Sequence, residues 1–134
     1  MRYELLEHTA DAMVRCYGKN LEECFGNAAY AMYDQMLDAS SVRPSVAFTV
    51  TASGEESRER LFAFLSELIY ITDVRGLVFS EFDVSFKGDD VICTARGESL
   101  DIARHSPRAE VKAVTYHMMA VDEKEPSVTV VFDL

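Results

Sequence analysis

The sequence predicts an α+β fold: a single domain in which a mostly antiparallel β-sheet packs with two long α-helices. Two observations carry this. Segments 20–37 and 53–72 place apolar residues at helical spacing behind capping residues. Several shorter segments alternate apolar and polar side chains, and most fall late in the chain, joined by short turns. That order favours hairpins over strand–helix–strand units. A length of 134 residues suits one domain with its own core.

Residues 1–6 form a short strand, and 12–17 a second one ended by Gly18. The clearest helix spans 20–37. Asn20 is its N-cap and Glu23 follows three residues later, as in a capping box. Leu21, Cys24, Phe25, Ala28, Met32 and Met36 make one apolar stripe. Residues 38–41 with Pro44 form the exit. Segment 42–51 alternates, with Val46, Phe48 and Val50 on one side, as a half-buried strand does. Ser53 with Glu56 is a second capping signature, opening a helix to about Thr72 with Leu61, Leu65, Leu68 and Ile69 inward. After a turn at 73–76, segments 77–86 and 91–97 form a hairpin around Lys87-Gly88-Asp89-Asp90. Residues 98–109 read as polar and irregular, 110–121 as a longer strand, and 127–132 as the last.

Composition excludes several functions. Thirteen Lys and Arg against 23 Asp and Glu leave a net charge of −10. Phosphates reward a basic footprint, so autonomous, non-specific nucleic-acid binding is disfavoured, while an RNA-related role through a protein partner stays open. The most apolar stretch, 61–71, is broken by Ser66 and Glu67 and is far short of the roughly 20 residues of a membrane span. The first ten residues carry Glu4, Glu7 and His8 with no apolar run, so no secretory leader is read there, and a cytoplasmic location is expected. Cys16, Cys24 and Cys93 lack paired spacing and fall on apolar faces. They read as reduced core residues rather than a zinc site, a disulfide framework or a catalytic thiol. Phosphate-cradling glycine loops, GxSxG and HExxH are absent from the sequence.

Three clusters remain. Glu7-His8-Thr9-Ala10-Asp11 stands between two strands; it suits either a turn capped by Thr9 and Asp11 or a set of cation ligands. At the other end, Phe132 continues the apolar face of Val128 and Val130, so Asp133 points the other way, beside the terminal carboxylate. Alone, this is a solvated acidic end. With Asp11 brought close, three carboxylates converge, and such an all-oxygen cluster suits calcium, magnesium or manganese rather than zinc. The third cluster holds Asp101, Arg104, His105, Lys112, Thr115, Tyr116 and His117. Its basic members suit either a solvated edge or contact with an anionic partner. Strand alternation puts Thr115 and His117 on one face and Lys112 and Tyr116 on the other unless a bulge intervenes.

Taken together, Glu7-His8-Thr9-Ala10-Asp11, Tyr17-Gly18-Lys19, Gly97-Glu98-Ser99-Leu100-Asp101, Arg104-His105, the segment from Glu110 to His117, and Phe132-Asp133-Leu134 resemble the archease family in order and spacing. The resemblance runs the length of the chain, so one archease-like domain over 1–134 is expected. It departs from the family pattern at Ala12-Met13, where a branched apolar residue and a glycine are usual, and at Leu134, where isoleucine is commoner. The resemblance implies an accessory protein, not an enzyme. Archeases assist the GTP-dependent RNA ligase of tRNA splicing, promoting guanylylation of the ligase and its multiple turnover. The resemblance also implies a divalent cation, calcium first and magnesium or manganese next, held by Asp11, Asp133 and the main-chain or terminal oxygens of Leu134. His8, Arg104, His105 and Lys112 are the candidate partner-contacting residues, with the ligase as partner and RNA reached only through it. Two rival readings are a general chaperone or adaptor using the acidic surface, and a small metal-dependent phosphohydrolase using Asp11, Asp133 and His8.

Overall fold

The computed structural model describes residues 2–8 and 11–134, the side chains of Glu7 and His8 excepted. The strand reading at position 1, and Thr9 and Ala10 of the opening motif, lie outside the described residues. In chain order the elements are β1 (Tyr3–His8), β2 (Asp11–Tyr17), α1 (Leu21–Met36), a 3-10 turn (Ala39–Ser41), β3 (Val46–Ser53), α2 (Ser57–Arg75), β4 (Leu77–Lys87), β5 (Asp90–Ser99), α3 (Ile102–His105), β6 (Ala113–Asp122) and β7 (Ser127–Asp133). The expected α+β class holds. The strands form two antiparallel sheets rather than one, ordered β1-β2-β7-β6 and β3-β5-β4.

Both long helices touch both sheets. Helix α1 packs on β2 and β7 of the first sheet and on β4 of the second, and α2 on β6 and β3. This placement explains what the sequence pattern understated in α1. Its single apolar stripe (Cys24, Phe25, Ala28, Met32) is joined by a second buried face of Gly26, Ala29, Ala31 and Tyr33. A helix held between two sheets is buried nearly all round. Small residues on the second face let β4 approach: a Cβ on Gly26 would lie 3.3 Å from the Phe82 carbonyl oxygen. Tyr33 ties the layers together. Its ring stacks on Phe82 and meets Phe79 edge-on, and its hydroxyl lies 2.7 Å from Thr72 Oγ1 on α2.

The Asn20 cap forms as read, its side chain accepting from the Glu23 N–H at 2.9 Å. The second capping signature does not. Ser53 ends β3 and donates its hydroxyl to Asp90 across the sheet, and α2 starts at Ser57 behind Glu56, which makes no side-chain cap. The Arg60 guanidinium instead binds the carbonyls of Gly54 and Glu55, closing the turn before the helix. The helix also runs on to Arg75, where Gly76 terminates it in the left-handed conformation (φ 67°).

The hairpin of β4 and β5 turns at Gly88 (φ 60°) as expected. The segment read as irregular contains the short helix α3, and β6 begins at Ala113 rather than at 110. Between Thr115 and Ala120 the pairing of β6 with β7 slips, so that Tyr116–Met119 stand opposite Val130 alone. Such an insertion breaks strand alternation. Tyr116 therefore stacks on Phe62 of α2 at 4.1 Å, and Met118 is left exposed with φ 58°.

A bulge in β4 sits where Gly97 of β5 presses against it. A Cβ there would collide with the Val78 carbonyl and lie 2.7 Å from Phe79 Cα. Gly97→Ala is expected to lower stability by about 3 kcal/mol, because backbone, not a flexible side chain, must move. A urea unfolding midpoint equal to that of the parent would contradict this packing.

Candidate functional site

Strand β7 lies between β2 and β6, and its apolar residues set the register. Val128, Val130 and Phe132 pair with Cys16, Val14 and Ala12 of β2, and all are buried against α1. Alternation then turns the residues between them to the opposite, outward face. The last row on that face is Asp11 of β2 directly opposite Asp133 of β7, with Ala113 of β6 on Asp133's other side. Directly opposed residues have Cβ atoms about 5 Å apart, and like charges so placed repel. Asp11 is exposed, and Asp133 and Leu134 are half-buried, with Leu134 packed on the core. The Asp133 carbonyl accepts from the Lys112 N–H at 2.8 Å, which fixes the end of β7 to the start of β6.

This arrangement brings together three of the residues singled out in the sequence: Asp11, Asp133 and Leu134. Among the described residues, no three His, Cys, Asp or Glu side chains gather into a metal-holding group. The donors at this end are two carboxylates and main-chain oxygens, a set that fits a hard divalent cation and not zinc. One more oxygen-bearing residue shares this face of the sheet. Thr115 pairs with Val131 on the adjoining outward row, and its Oγ1 is the buried side-chain polar atom left without a hydrogen-bond partner among the described residues. The sequence reading placed Thr115 on a face with His117 but gave it no role. Nothing in the sequence signals its place, because Ala113 comes opposite Asp133 only through the register of β6 on β7.

The proposed partner-contacting residues divide. The His8 side chain lies outside the described residues. Lys112 is exposed beside Asp133. Arg104, partly exposed, and His105 both bind Glu98. Arg104 Nη2 donates to Glu98 Oε1 at 2.6 Å and Nη1 to the Ser41 carbonyl at 3.0 Å, while Glu98 Oε2 accepts from the Arg43 N–H at 2.8 Å. His105 is fully buried. The Asp101 N–H can only donate, so His105 Nδ1 accepts from it at 2.9 Å, and Nε2 carries the proton that reaches Glu98 Oε2 at 2.9 Å. These bonds pin α3 against the 3-10 turn. Next along the chain, the Arg108 N–H donates to the Met36 carbonyl, and its guanidinium binds Asp34. The segment between the sheets is thereby held on the end of α1 until Lys112 delivers it to Asp133.

The three cysteines are buried free thiols. Burial pushes Cys24 up to about 11 and Cys93 up to about 12, and Cys16 higher still, so none is a nucleophile at neutral pH. No helix among the described residues is long and apolar enough to cross a membrane.

The class this defines is an α+β protein with two helices between two antiparallel sheets and a facing carboxylate pair at the end of the larger one. The profile of the Archease protein family (MTH1598/TM1083) matches residues 3–134. Protein archease of Pyrococcus abyssi is 40% identical over 126 residues, covering 91% of this chain and 89% of that one. Protein archease of Methanothermobacter thermautotrophicus is 38% identical over 127 residues, covering 92% and 90%. The solution structure of protein 1598 of Methanobacterium thermoautotrophicum superposes with a TM-score of 0.84 at 37% identity over 99% of each chain. A crystal structure of an archease, possible chaperone, from Thermotoga maritima shares the fold, with a TM-score of 0.66 at 22% identity over 98% of this chain and 96% of that one. The chain belongs to the archease family.

The Glu98 network carries a pH dependence. The Arg104 guanidinium first, then the Arg43 N–H and His105, hold the Glu98 carboxyl down to about 2 from the ordinary 4.5. A carboxyl lowered by folding stabilises the fold above its unfolded value, and that stabilisation is lost as pH falls through its folded one. The parent is expected to lose stability between pH 4.5 and 2, and Glu98→Gln to be less stable at pH 7 with a flatter profile in that window. Urea midpoints at pH 7, 4 and 2.5 check this; parallel profiles would refute it.

Proposed function

We propose that this chain is an accessory protein of a GTP-dependent RNA ligase in tRNA splicing, promoting guanylylation of the ligase and its multiple turnover. In this reading it is an activator rather than an enzyme, works in the cytoplasm, and meets RNA only through the ligase. It holds a divalent cation, calcium first and magnesium or manganese next, at Asp11, Asp133 and the main-chain oxygens of Leu134. The observation that supports this best is the register that sets Asp11 directly opposite Asp133 in a chain of the archease family. Two carboxylates held face to face by core packing raise the free energy of the empty site, and a bound dication offsets that repulsion. The net charge of −10 fits a protein that acts on a protein partner and not on bare RNA.

Lys112, exposed beside the carboxylate pair, is the cation of this surface that we assign to contact with the ligase or its phosphates. Arg104 and His105 act indirectly, by holding the segment that leads to it.

The test is RNA joining by limiting ligase with GTP and a divalent metal, from one RNA ending in a 2′,3′-cyclic phosphate and one beginning with a 5′-hydroxyl. With this protein present, each ligase is expected to complete many turnovers rather than one. Asp11→Ala and Asp133→Ala should leave product at the level seen without the protein, at unchanged fold by circular dichroism. Full activation by either variant would refute the site. Suppression of aggregation of unrelated proteins, unaffected by Asp11→Ala and without effect on the ligase, would replace this reading with a general chaperone.

A further inference from the structure

We propose that Thr115 supplies its hydroxyl oxygen as a neutral ligand to the divalent cation held between Asp11 and Asp133. The proposal rests on the reading of that site given above and adds a residue to it.

The observation behind it is the orphaned Oγ1. Buried hydroxyls nearly always have a partner, and one without calls for a missing water, ion or functional use. Thr115 Oγ1 is buried with no hydrogen-bond partner among the described residues.

Its position gives the use. Asp11, Asp133 and Ala113 make one outward row across three strands, and Thr115 stands one row inward on the same face, beside Val131. Thr115 and Asp133 are thus diagonal neighbours, about 7–8 Å apart at Cα, a gap that two short side chains do not close by themselves and that a cation between their oxygens would span. Val131 is buried and Val114, on the other face, is buried as well, so Thr115 has apolar neighbours along and across the ladder.

The backbone after Thr115 keeps the hydroxyl in place. The ladder breaks immediately beyond it, and the broken segment is tied to α2. Tyr116 stacks flat on Phe62, with 6° between the rings, and Arg58 donates to the Tyr116 carbonyl at 3.4 Å. Thr115 is therefore fixed by pairing on one side and by an anchored aromatic on the other.

The chemistry agrees. Hard divalent cations take six or more oxygens and combine carboxylates with neutral hydroxyl, carbonyl and water oxygens. Two carboxylates and the Leu134 main chain leave room in that shell. A neutral oxygen adds a ligand without adding to the repulsion between Asp11 and Asp133.

The experiment is calcium titration calorimetry on the full chain in metal-free buffer, with thermal melts of the metal-free proteins alongside. Thr115→Val keeps the shape and removes the hydroxyl; Thr115→Ser keeps the hydroxyl. Thr115→Val is expected to bind calcium about tenfold more weakly or worse, and Thr115→Ser within about twofold of the parent. The metal-free Thr115→Val protein is expected to melt no lower than the parent, because it loses a hydroxyl that has no partner among the described residues. Unchanged calcium affinity in Thr115→Val, with Asp11→Ala abolishing binding, would overturn the proposal and leave the carboxylate site standing. A metal-free Thr115→Val protein melting well below the parent would also overturn it, by showing that the hydroxyl serves the fold. Calcium binding by Asp11→Ala equal to that of the parent would overturn the carboxylate site itself and Thr115's part with it.

Discussion

The pairing of β2 with β7 is the constraint on which the rest depends. It joins a strand from the start of the sequence to one from its end, in an unbroken register from Asp11 with Asp133 to Tyr17 with Ser127. The inward residues of both strands form the wall on which α1 lies, and the outward residues carry the charges. Because strand side chains alternate, a slip of one residue would bury the carboxylates and expose Ala12, Val14, Val130 and Phe132. The hydrophobic match on the inner face thus holds two like charges together on the outer one.

A second, polar set of bonds positions the strand that completes the site. The chain must leave the smaller sheet after Ser99 and enter the larger one at Ala113. Glu98 fixes the first part of this path through Arg104, His105 and the Arg43 N–H, and Asp34 fixes the second through Arg108. Asp34 also accepts from the Tyr3 hydroxyl at 2.6 Å, which links the path back to β1. Arg104 and His105, candidate partner contacts in the sequence, both hold this path, and the exposed Lys112 stands at its end.

Much of this was legible before the fold was known, and the exceptions have physical causes. Helix α1 was readable from its cap and stripe, yet its second buried face was not, because glycine, alanine and tyrosine give no apolar periodicity; only the second sheet makes that face interior. Ser53 and Glu56 look like a capping box, but Ser53 finds a better partner in Asp90, which pairing brings opposite it. The break after Thr115 has no mark in the local pattern, and the stacking of Tyr116 on Phe62 of α2 that goes with it joins residues far apart in sequence. At the site, the sequence showed two acidic residues 122 positions apart and their chemistry. Their adjacency, and the nearness of the Thr115 hydroxyl, which has no partner among the described residues, come from the register of three strands.

In the function proposed above, a divalent cation binds at the facing carboxylates at the end of the larger sheet. The most direct measurement is the backbone amide spectrum of the protein titrated with substoichiometric manganese, whose unpaired electrons broaden nearby signals. Early, selective loss of the signals of Asp11, Ala113, Thr115, Asp133 and Leu134 is expected, with those of the β4–β5 hairpin retained. Broadening centred elsewhere, or spread evenly over the acidic surface, would contradict it.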